Sequence, residues 1–177
     1  MGHLADMAAH PVPVEAINRM DAGDFVTAFG DIAEHSPWVA ERAAKRRHFA
    51  DRRAMAEAFL DAVLDAADAE KLALVRAHPD LAGRVKLSEL APESRHEQAG
   101  AGLDTLTPKE LAQFTALNDA YKEKFGFPFI LAVKGADKHL ILKTFAERIE
   151  HDPEAELATA ITQIGRIINF RIEDRVR

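Results

Sequence analysis

One stretch of this 177-residue chain, Phe127–Val133 (FPFILAV), has the unbroken apolar character of a buried β-strand, and no second stretch is there to pair with it. A strand without a neighbour leaves a row of backbone donors and acceptors unsatisfied. The segment is therefore expected as an extended stretch or loose turn packed between helices. Its amides are then free to bind something, unless the segment is simply hydrophobic core. Elsewhere the apolar residues recur at helical spacing. A chain of this length fits one domain, which buries about 70% of its unfolded surface. The expectation is an all-α fold: a single compact domain of about eight or nine helices, without a sheet.

Start and stop signals place those helices. Residues 1–12 have little pattern and are expected to fray. Ala16, Ile17 and Met20 make a short first helix. Phe25, Ala28, Phe29 and Ile32 make a second, capped by Asp21 or Asp24 and ending near His35, because Ser36 precedes Pro37. Further helices are expected over Trp38–Arg47, over Asp51–Ala67, and over Lys71–Ala77 behind an Asp68 cap. Thr107-Pro108-Lys109-Glu110 joins a capping box to a proline at the first helical position. The helix it opens carries Leu111, Phe114, Leu117 and Tyr121 and should stop at Gly126. Two more run over Asp137–Glu150 and, from Pro153 behind Asp152, to near the end of the chain.

Composition excludes several classes of function. A net charge of −6 opposes nonspecific nucleic-acid binding, which needs a basic face to neutralise phosphates. The absence of cysteine removes disulfides, thiolate nucleophiles and cysteine-based zinc sites. No segment has the run of about 18 apolar residues that a membrane span needs. Without a signal-peptide pattern or a peroxisomal tripeptide, a cytoplasmic location is the expectation. The eight histidines are scattered and no H-E-x-x-H occurs, so no metal site is expected.

Candidate chemistry gathers between Ala77 and Asp104. His78 stands directly before Pro79, which ends the preceding helix and leaves an imidazole at a helix C-terminus. Ser94, Glu97, Gln98 and Ala101 fall at i, i+3, i+4 and i+7, so they share one face if this segment is helical. An imidazole facing a carboxyl is equipment for proton transfer near neutral pH. The plainer alternatives are that His78 only terminates a helix and that Ser94 and Glu97 form a capping box. Gly100 and Gly102 follow no strand, so a dinucleotide site is not expected.

The last helix carries a second signal. Leu157, Ala160, Ile161, Ile164, Ile167, Ile168 and Ile172 form one apolar stripe, and Arg171 lies near its middle. A guanidinium cannot shed its proton, and an unpaired buried charge costs several kcal/mol. Arg171 must therefore meet an anion, either an internal carboxylate or a ligand. Arg175 is expected to snorkel at a fraying end, and Arg166 to be solvated.

With these residues in hand, the chain resembles the 2-oxo-4-hydroxy-4-carboxy-5-ureidoimidazoline (OHCU) decarboxylases, which act in uric acid degradation. The resemblance rests on EHSPWVAERA (Glu34–Ala43), AHPDLAG (Ala77–Gly83), SRHEQAGAGLD (Ser94–Asp104), NDAYKEKFGFPFILAVKG (Asn118–Gly135) and RIINFRI (Arg166–Ile172). It implies an all-helical, usually dimeric enzyme that uses no metal or organic cofactor. It puts the family's catalytic histidine on His78, its glutamate on Glu97 and its arginine on Arg171. Substrate-binding positions fall on Pro79, Ser94, Gln98 and the backbone-amide segment Phe129, Ile130, Leu131, Ala132 and Val133. The implied partner is the small-molecule substrate OHCU, with a second copy of the chain as homodimer mate. The rival expectation is a non-catalytic helical ligand-binding or interaction module of the same fold.

Overall fold

The computed structural model describes residues 10–82 and 90–177. Among them are nine α-helices and no strand: α1 (Val14–Asn18), α2 (Ala22–Phe29), α3 (Trp38–Ala44), α4 (Arg52–Leu64), α5 (Asp68–Ala77), α6 (Pro92–Gly100), α7 (Pro108–Phe125), α8 (Lys138–Arg148) and α9 (Pro153–Arg175). None of the helices among the described residues is long and apolar enough to cross a membrane. The residues gather into two compact units, one from the stretches Met1–Ala77 and Gly165–Arg177, the other from His78–Ile164.

The expected start signals operate. Asp21, Asp51, Asp137 and Asp152 each accept a hydrogen bond from the backbone N–H three residues on, at 2.7–2.9 Å. Thr107 and Glu110 form the reciprocal capping box, and Gly126 closes α7 in the left-handed conformation at φ 76°. Helix α2 stops at Phe29, earlier than the apolar period suggests. Gly30 takes its C-cap, and Ile32 and Ala33 are buried from the irregular stretch that follows. Helices α3 and α4 also end short of Arg47 and Ala67. Asp68 is the first residue of α5 and not its cap; the N–H of Ala67 donates instead to the Glu70 carboxylate, 3.1 Å away.

In the first unit, Phe25 touches Phe29, Phe49 and Phe59, with ring centroids 5.3–6.2 Å apart, and Ile17, Met55, Val63 and Leu74 are fully buried. Val12 is bridged to Val176: its N–H donates to the Arg175 carbonyl at 2.7 Å, and its carbonyl accepts from Arg177 N–H at 3.0 Å. The chain is thus already paired at residue 12; the frayed tail expected before it falls mostly on residues 1–9, outside the described residues. In the second unit, Tyr121 meets Phe125, Phe127, Phe129 and Phe145, and Phe129 stacks on Phe145 at 3.9 Å. Phe114 and Ile141 complete that core, whereas Leu111 is 46% exposed.

Candidate active site

His78 follows the last residue of α5, as the Pro79 effect requires, and is buried. The turn it leads into is gripped from outside. Gln98 of α6 donates from Nε2 to the Asp80 carbonyl and accepts at Oε1 from the Ala82 N–H, both at 3.0 Å. Asn118 of α7 donates from Nδ2 to the Leu81 carbonyl at 2.9 Å, and Lys122 Nζ meets the Asp80 carboxylate at 2.6 Å. Ala82 has φ 50°, in the left-handed region that an alanine rarely enters.

The polar face of α6 forms as its spacing predicts. Ser94 and Gln98 are buried and Glu97 is half-buried, while Arg95 and His96 point outward. The capping-box alternative fails, because α6 begins at Pro92 and places Ser94 inside the helix; its N-cap is Ala91. Gln98 was expected to reach substrate, yet both halves of its amide are engaged on the 80–82 turn.

Phe127–Val133 forms neither helix nor strand, as its isolation demands. Phe129, Ile130, Ala132 and Val133 are buried and Leu131 is half-buried. The Ala132 N–H donates to Gln163 Oε1 at 3.0 Å. Among the described residues, the amides of Phe129, Ile130, Leu131 and Val133 meet no protein acceptor. Buried backbone N–H groups without a protein acceptor are rare, so this row stands out as a place to hold an anion.

A buried charge network supports that row. The Arg148 guanidinium donates to the Ile130 carbonyl and to Glu156, and lies 4.4 Å from the centre of the Phe129 ring. Glu156 is fully buried and also accepts from the Tyr121 hydroxyl at 2.6 Å, with His151 Nδ1 3.2 Å away. Burial, reinforced by the Glu156 carboxylate, pushes the Tyr121 phenol far above its ordinary range, so it stays a donor.

Arg171 is folded inward, 4% exposed. The anion that meets it is internal: Glu34, 3% exposed, accepts from Nη2 at 3.1 Å, and the Ile32 carbonyl accepts from Nη1 at 3.1 Å. Arg175 does not snorkel. It forms a two-pronged pair with Asp31, at 2.7 and 2.9 Å, and also reaches the Ala28 carbonyl. Arg166 is exposed, as expected.

Sequence reasoning missed Glu34, Asn118, Arg148, Glu156 and Gln163. Two of them left a legible sign. Asn118 falls between Phe114 and Tyr121 at i+4 and i−3, and takes the buried position that the apolar period gives to Leu117. Glu156 stands four residues before Ala160 and eight before Ile164, inside the same stripe as Arg171. Glu34 gave no sign, because it lies in an irregular stretch where no period applies. No group of three or more His, Asp or Glu side chains able to hold a metal occurs among the described residues.

Comparison with known proteins places the chain among relatives. Residues 18–173 match the family described as OHCU decarboxylase. A 2-oxo-4-hydroxy-4-carboxy-5-ureidoimidazoline decarboxylase of Haloferax volcanii is 40% identical over 94% of this chain and 97% of its own length. One from Halalkalicoccus jeotgali is 42% identical over 91% of this chain and 90% of its own. Among solved structures, an (S)-allantoin synthase superposes with a TM-score of 0.78 at 32% identity, covering 94% of this chain and 54% of that one. Its helices, its site motifs and its matches along nearly its whole length lead to one conclusion: the chain belongs to the OHCU decarboxylase family.

Proposed function

We propose that this protein decarboxylates OHCU to (S)-allantoin, with His78, Glu97 and Arg171 as catalytic residues. The observation that carries the reading is the set of amides at Phe129, Ile130, Leu131 and Val133 that meet no protein acceptor among the described residues, in a chain of this family. Breaking the bond from C4 to the carboxylate releases CO2 and leaves its electron pair on the ring. There it spreads into the adjoining carbonyl and imine as an enolate-like anion. Hydrogen-bond donors fixed in advance at the developing charge lower that barrier. The amides of Phe129, Ile130, Leu131 and Val133 suit this task. The Ala132 amide reaches it only by giving up Gln163.

The C4 hydroxyl gives up its proton and becomes the ring carbonyl, the imine nitrogen takes one up, and a proton delivered to one face of C5 completes allantoin and sets the S configuration. His78 is the proton carrier in this scheme, Glu97 stabilises its cation, and Arg171, while holding Glu34 and the Ile32 carbonyl, is assigned to a carboxylate or ring oxygen of the substrate. Pro79 and Ser94 line the substrate, and Gln98 serves it by fixing the turn below His78. The enzyme works as a cytoplasmic homodimer without metal or organic cofactor.

The test is circular dichroism at allantoin's absorption while urate is degraded with and without the protein. The expected result is a strong (S) excess that survives chelation and falls sharply in His78→Gln and Glu97→Ala. Wild-type protein that leaves the product racemic would instead favour a non-catalytic binding module. Sedimentation at micromolar concentration checks the dimer.

A further inference from the structure

We propose that Asn118 and Lys122 of α7 are positioning residues for His78, acting through the turn that carries it. The inference rests on the reading above, in which His78 moves the proton. Three successive residues beyond Pro79 are each tied down by a side chain from α6 or α7. Asp80 is held at its carboxylate by Lys122 and at its carbonyl by Gln98. Leu81 is held at its carbonyl by Asn118, and Ala82 at its N–H by Gln98. Among the described residues, Asp80, Leu81 and Ala82 make no backbone–backbone hydrogen bond, and Ala82 sits at φ 50°. A non-glycine residue keeps such a conformation only where its surroundings impose it, and strain of this kind collects at functional sites.

Two of these ties come from one face of α7, four residues apart, so a single rigid element reads the turn at two points. The helix is firmly defined, with a capping box at its start and a left-handed glycine at its end. Asn118 also occupies a costly place. It is 4% exposed, between Phe114 and Tyr121, and its Oδ1 accepts from no protein donor among the described residues. An apolar side chain would fit that stripe at lower cost. What the amide supplies there is one hydrogen bond, to the carbonyl of Leu81, three residues beyond the imidazole.

The test uses full-length protein carrying Asn118→Leu, which keeps the volume and loses the donor, with Lys122→Met and Lys122→Arg alongside. Lys122 is 46% exposed at its side chain, so its variants keep the proposal testable should the Asn118 variant fail to fold. Hydrogen–deuterium exchange is read on the peptide spanning residues 78–82. Steady-state kinetics on freshly made OHCU and the enantiomeric excess with enzyme in excess over substrate complete the readouts. Expected for Asn118→Leu are exchange about tenfold faster in 78–82, kcat lowered about tenfold with KM little changed, and a reduced (S) excess. Lys122→Met should shift the same three quantities less, and Lys122→Arg should restore them. Folded variants with wild-type exchange, or with faster exchange but wild-type kcat and stereochemistry, overturn the proposal. Wild-type protein that yields no (S) excess fails the catalytic reading itself; the exchange data then judge the grip of α7 on the turn independently.

Discussion

Arg171 and Glu34 show how differently two halves of one ion pair can be written in a sequence. The arginine interrupts a seven-residue apolar stripe and was legible from periodicity alone; its partner lies in the turn between α2 and α3 and was not. Both are almost wholly buried, so neither charge can be left alone cheaply. Glu34→Ala should cost on the order of 3–5 kcal/mol of unfolding free energy, because it takes a carboxylate away from a buried guanidinium that cannot deprotonate. Urea unfolding followed through Trp38, the sole tryptophan, measures it. Glu34→Gln should recover part of that loss, since the amide oxygen can still accept from Nη2. Glu156 and Arg148 repeat the lesson in the second unit: the glutamate sat in a readable stripe, while the arginine on α8 gave no warning.

Among the elements, α7 was the most fully legible, because its signals are local. A capping box, a proline at N1 and a terminating glycine need no tertiary context. Its first turn carries a testable pH dependence. Hydrogen bonds from Lys138, and then from the Thr107 backbone, hold the Glu110 carboxyl down to about 2, from 4.5. A folded-state value below the unfolded one gives stability that is present in full above pH 4.5 and lost as pH falls toward 2. Glu110→Gln should therefore unfold at lower temperature than wild type at pH 7. The gap should narrow steadily below pH 4.5 and nearly close at pH 2. Melting followed by circular dichroism across that range checks both sign and window. The apolar run Phe127–Val133 was legible in another sense. The lack of any partner excluded a strand, but the hold of Arg148 and Gln163 on its backbone depends on long-range packing that no local pattern encodes.

For the whole molecule, the helical class and the order of the helices followed from spacing and punctuation, whereas the division into two units did not. One boundary falls at the end of α5 and the other at Gly165, inside the unbroken α9, so no linker composition marks either. The bridge between Val12 and Val176 was equally hidden, because pairing between residues this far apart leaves no local sign. Deleting Val176 and Arg177 removes a fully buried valine, the bond from Val14 N–H to the Arg177 carbonyl, and the bond from Arg177 N–H to the Val12 carbonyl. The expected loss is about 2–4 kcal/mol, read from denaturant titration against full-length protein. Since positions 12 and 176 lie side by side, the module has the geometry of an insert: it can be spliced into a surface loop of a host protein through two short joints, without prising that loop apart.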